Sequence, residues 1–139
     1  MEEANKLYSE WIEASPFTSW LGLQVHATTA GLEAVLPFEE KNVGNPFIRS
    51  LHGGIISAAM ECGGGLLAAQ LHGLGRIQRP SSISISYLRS TSDRDLNIQV
   101  LPVKTGRRLS FLTAQAWQES MEKPVAIATM TFLRKMKEV

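Results

Sequence analysis

The chain has 139 residues, 44% of them apolar and 19% charged, which is enough for one domain with its own hydrophobic core and gives no sign of a low-complexity linker. A net charge of +1, with only small basic groups (Arg76 with Arg79, Arg107 with Arg108, Arg134 to Lys137), gives no footing to nucleic-acid binding. One cysteine, Cys62, excludes an intrachain disulfide, no metal-ligand spacing is present, and the acidic start Met1-Glu2-Glu3 argues against a signal peptide, so a reducing, cytoplasmic setting is expected.

Leu7, Tyr8, Trp11 and Ile12 recur at helical spacing, so residues 3–13 are predicted to form an amphipathic helix that Ser15-Pro16 ends. Residues 21–28 and 32–38 read as two strands of a hairpin around Ala30-Gly31. A loop follows from Glu39 to Leu51, with its clearest turn at Gly44-Asn45-Pro46. Residues 53–71 are apolar nearly all round, the mark of a buried helix, which would be about 28 Å long. Glu61, Ser57, Gln70 and five glycines in that run make a membrane span a poor reading of it. Gly73 and Gly75 close the helix.

The remainder reads as strand. Ile83, Ile85 and Tyr87 alternate with Ser82, Ser84 and Ser86, and segments 96–103, 108–118 and 124–134 follow, which predicts an antiparallel meander of four strands. A helix that is apolar all round needs a wrapper, and an antiparallel sheet curled around it supplies one.

Three features of the helix bear on chemistry. Glu61 is the only formally charged residue between Arg49 and Arg76. A buried carboxylate is costly unless paired, and such groups concentrate at functional sites. A glutamate on one exposed stripe, or one paired with an arginine, is the plainer reading, and the residues alone do not separate the two. His52-Gly53-Gly54 opens the helix, where free backbone N–H groups and the positive end of the dipole can polarise a carbonyl, and glycine lets a ligand come close. Gly63-Gly64-Gly65 cost roughly 1 kcal/mol each against alanine, and close packing explains them better than room for a ligand. Cys62, in an apolar setting, reads as a packing residue and not a nucleophile. His26 and His72 lack any partner pattern, although a histidine at a helix C-terminus suits the dipole.

Taken together, Gly44-Asn45-Pro46, Leu51-His52-Gly53-Gly54, Glu61, Ser86-Tyr87-Leu88-Arg89 and Gly106-Arg107-Arg108 resemble the PaaI-type hot-dog thioesterases over about residues 17 to 134. The resemblance implies an α+β hot-dog fold. A long central helix is wrapped by an antiparallel sheet of about six strands, in a single domain over residues 1–139 with residues 1–16 as N-terminal helix and linker. It implies an acyl-CoA substrate and no cofactor or metal. It implies a homo-oligomer, a dimer or a dimer of dimers such as a homotetramer, with active sites at the dimer interface, and no nucleic-acid or membrane partner. Glu61 takes the role of nucleophile or general base, and the Gly53 N–H polarises the thioester carbonyl. His52 shapes the site, and Gly54 adjoins the substrate. The pattern departs at the asparagine that holds water or carbonyl. The position six before His52 is Pro46, so Asn45 serves only if the loop is one residue longer. Ser81 or Ser82 would complete the site from the partner, and Arg89 with Arg107 or Arg108 would lie near the CoA phosphates. A non-catalytic acyl-CoA-binding hot-dog protein, or a hot-dog hydratase or dehydratase, are the competing readings.

Overall fold

The computed structural model describes residues 1–134, so the last part of the Arg134–Lys137 basic group lies outside the described residues. Period two builds the wall of the core. Leu32, Ala34 and Leu36 in β2 (Leu32–Leu36) point inward, as do Leu96, Ile98 and Val100 in β6 (Leu96–Thr105). Leu112, Ala114 and Ala116 in β7 (Leu109–Trp117) and Ala126, Ala128, Met130 and Phe132 in β8 (Ala126–Leu133) complete that face. With β1 (Gln24–Ala27) and β5 (Ser82–Tyr87) these strands form one antiparallel sheet in the order β1-β2-β6-β7-β8-β5. The hairpin predicted around Ala30-Gly31 is β1 with β2, closed by Thr28 N to Gly31 O and Gly31 N to Thr28 Oγ1.

The helix α3 (Gly53–His72) lies on the inner face. Its length and composition alone would let it cross a membrane, yet twelve of its twenty residues are buried. It runs unbroken through its three glycines. A Cβ on Gly63 would come within 3.1 Å of Val100, and one on Gly64 within 2.6 Å of Met130. On Gly65 it would reach 2.3 Å from the carbonyl oxygen of Gln78. The glycines therefore let the sheet and the chain leaving the helix approach the helix backbone; they are packing residues. Gly73, at φ 64°, caps the end.

Three expectations are corrected. Ser15-Pro16 follows the end of the first helix as expected, but Pro16 does not belong to a linker within residues 1–16. Pro16 is the first residue of a second helix, α2 (Pro16–Leu21), where its fixed φ is favourable, so β1 starts later than predicted. The loop before α3 holds a 3-10 turn (Glu40–Asn42) and a small hairpin of β3 (Val43–Asn45) and β4 (Ser50–Leu51). The four late strands are not one meander. Only β6, β7 and β8 are consecutive neighbours; β5 pairs with β8 at the sheet's far edge, because β6 is taken by β2 and β7. Elsewhere α1 (Glu2–Glu13) packs through Ala4, Tyr8 and Trp11, and the Tyr8 hydroxyl hydrogen-bonds Gln70 of α3. The architecture is the α+β hot-dog arrangement expected: a long helix held by a six-stranded antiparallel sheet.

Candidate active site

The site begins with how the chain enters α3. Leu51 N donates at 2.8 Å to Oγ1 of Thr91, a buried residue in the otherwise largely exposed segment after β5. His52 N donates to Asn42 O at 2.8 Å. Gly44 lies so close that a Cβ would sit 2.8 Å from His52 Cα, so only glycine fits beneath the histidine. Arg49, at φ 54°, ties this loop down through Glu40 of the 3-10 turn and through Asp93, 2.9 Å away. Those carboxylates, Glu40 first, hold the guanidinium above its ordinary pKa, and Arg49 holds Asp93 below the usual carboxylate range.

His52 is the N-cap. Its Nδ1 accepts from Gly54 N at 2.9 Å, and its carbonyl accepts from Ile55 N and Ile56 N. The first turn of a helix leaves its N–H groups without intrahelical partners. Here those of Gly54, Ile55 and Ile56 are satisfied, and so is His52's own. Among the described residues, the Gly53 N–H alone in this turn makes no hydrogen bond. It stands at the positive end of a twenty-residue helix, exposed at the surface.

Glu61 lies two turns further on, on the partly exposed stripe that carries Ser57 and Ala58. It is therefore not the buried carboxylate that the apolar helix suggested: the sheet wraps the other sides of α3 and leaves this stripe open. Among the described residues no ion pair or hydrogen bond engages its carboxylate. The arginine-paired alternative is thus not what the structure has. Cys62, next along, is buried, and burial with the Glu61 charge pushes its thiol up to about 12. A thiolate nucleophile there is unfavourable.

The other predicted residues are spread apart within one chain. Asn45 ends β3 and is exposed; its Oδ1 accepts from Phe47 N at 3.0 Å, so it serves a turn. Ser81 precedes β5 and Ser82 begins it, with Ser81 Oγ donating to Thr131 O. Tyr87, at the other end of β5, is the residue that reaches Gly53. Arg89 lies at that same end, whereas Arg107 and Arg108 lie in the β6–β7 turn. The register puts Ala126 opposite Tyr87 and Leu133 opposite Leu109, so the two arginine sites are separated by most of the sheet, roughly 20 Å. Arg107 and Arg108 border an apolar groove with Lys104, Leu109 and Phe111. Among the described residues no group of three His, Cys, Asp or Glu side chains could hold a metal ion. Sequence reasoning did not find Thr91, Asn42 or Arg49, whose roles arise from contacts across the loop and with the segment after β5 that no motif records.

Residues 45–133 match the family described as the acyl-CoA thioesterase N-terminal domain, and the chain belongs to that family. No curated protein matches in a sequence search. Solved structures share the fold. A Pseudomonas aeruginosa protein is similar at a TM-score of 0.82 and 22% identity, covering 95% of this chain and 99% of that one. The phenylacetic acid degradation protein PaaI from Thermus thermophilus, solved as a mutant, is similar at 0.74 and 21%, covering 87% and 100%. A phenylacetic acid degradation-related protein from Ralstonia eutropha is similar at 0.76 and 20%, covering 91% and 98%.

Proposed function

We propose that the chain is a cytoplasmic acyl-CoA thioesterase that hydrolyses an acyl- or aryl-CoA thioester to free acid and CoA, as a homo-oligomer and without a cofactor. One observation carries this reading: in a chain of the thioesterase family, the one N–H at the start of α3 that makes no hydrogen bond among the described residues belongs to Gly53. That N–H and the helix dipole stabilise the charge that develops on the thioester oxygen. Glu61 attacks the carbonyl carbon and expels the CoA thiolate, leaving a mixed anhydride that water opens, or it takes a proton from a water that attacks directly. His52 accepts at Nδ1, so its neutral ring carries the proton on Nε2, a second donor at the mouth beside Gly54.

Geometry argues that two chains build each site. Gly53 and Glu61 are eight residues apart on one helix, about 12 Å along its axis, too far to hold one carbonyl group. β5 is an edge strand whose inner-face residues Ile83, Ile85 and Tyr87 are left partly or largely exposed. Antiparallel pairing of two β5 strands about their midpoint would carry one chain's Gly53 end to the other chain's Ser81–Ser82 end, nearer its Glu61. The same pairing would bring Arg89 of one chain toward Arg107 and Arg108 of the other, where arginine forks suit CoA phosphates.

The test is thiol release from a panel of aryl-, phenylacetyl-, short- and medium-chain acyl-CoAs, with Glu61→Gln alongside. Turnover of at least one member is expected, falling at least about a hundredfold in Glu61→Gln with the fold kept. Asn45, engaged in a turn, favours binding without turnover as the second reading. Tight binding with no thiol release from any member would establish that reading instead.

A further inference from the structure

Resting on Gly53 as the carbonyl's donor, we propose that Tyr87 is a positioning residue for that donor. The first two peptide groups of α3 set where the Gly53 N–H points. The group between His52 and Gly53 has its carbonyl held by Ile55 N at 2.9 Å and Ile56 N at 3.2 Å. The group between Gly53 and Gly54 is pinned at both ends: its N–H donates to His52 Nδ1 at 2.9 Å, and its carbonyl accepts from the Tyr87 hydroxyl at 2.9 Å. The tyrosine ring also lies 3.7 Å from where a Gly53 Cβ would be, so it backs the α-carbon.

Such pins matter here more than in an ordinary first turn. Two adjacent glycines have no side chains to restrict them, and the first turn of a helix is where hydrogen bonds are fewest. A donor that must meet a transition-state oxygen is effective only when its direction is fixed beforehand. Tyr87 comes from the last residue of β5, on the inner face with Ala126, so it ties the sheet's edge to the mouth of α3. The hydroxyl does no chemistry on the substrate; it acts through the Gly53–Gly54 peptide.

Tyr87→Phe keeps the ring and removes the hydroxyl. With an acyl-CoA the protein turns over, kcat is expected to fall about two- to tenfold, the scale of one net hydrogen bond, with KM unchanged. In the same variant the Gly54 amide is expected to exchange with deuterium faster by a similar factor, while core amides of β7 and the thermal midpoint stay put. Unchanged kcat, or a raised KM at constant kcat, overturns the positioning role. If the native protein has no turnover, the thioesterase reading falls, and amide exchange still decides for Tyr87: acceleration at Gly54 supports the pin, and no change overturns it.

Discussion

His72 occupies the last turn of α3, where a cation would favour the helix dipole, yet it is buried and its Nε2 is 2.5 Å from Ser110 Oγ. Burial, helped by the positive charge of Arg134, holds its pKa below the ordinary 6.5. Its Nδ1 is buried and, among the described residues, has no partner. Desolvation has outweighed the dipole, and the imidazole is kept neutral. The sign of the pH effect follows. Above 6.5 the ring is neutral in both folded and unfolded chains, and stability does not depend on it. As pH falls below 6.5 the unfolded chain takes up a proton that the folded one refuses, so stability declines until the folded value is reached. Urea unfolding between about pH 8 and 5 is expected to show this decline in the native protein and much less of it in His72→Gln. Equal slopes in the two proteins would refute the assignment. None of this could be read from the sequence, because the partner Ser110 is 38 residues away on β7.

At the scale of elements, α3 was legible from its unbroken apolar character, and the inward faces of the strands from their alternation. The triple glycine was legible only as an anomaly. Its cause is the chain that leaves the helix and crosses back at Gly65, where Gln78 N donates to Gly65 O at 3.2 Å. Alanine in a helix ordinarily gains roughly 1 kcal/mol over glycine. At Gly65 the added methyl meets the Gln78 carbonyl oxygen at 2.3 Å and Ile77 at 2.7 Å, both too close. Gly65→Ala is therefore expected to lose about 1–3 kcal/mol in urea unfolding, the cost of overpacking. A variant as stable as the native protein would contradict this packing account. α2 and the place of β5 escaped sequence reading for different reasons. Pro16 both ends one helix and begins the next, and strand order depends on pairing partners that local patterns do not encode.

For the whole molecule, the motif residues identified the family and the mouth of α3, but not how they come together. His52, Gly53 and Gly54 are contiguous and could be found as a string. Ser81 and Arg107 lie toward one end of the sheet and Arg89 lies at the other, and a single chain leaves Arg89 apart from them. Pairing two chains would join them, so that Gly53 from one chain would serve Glu61 from the other. Two variants isolate the two contributions. Gly53→Pro removes the one N–H at a first-turn position that tolerates proline, with His52 at φ −62° and ψ 128° already extended as proline requires. Glu61→Gln removes the carboxylate charge. Each homo-oligomer alone is expected to be inactive. Unfolded together in equal amounts and refolded, half of the dimers pair unlike chains and hold one intact site of two, so thiol release should return to about a quarter of the native rate. No recovery from a mixture that demonstrably contains mixed dimers would place both groups within one chain.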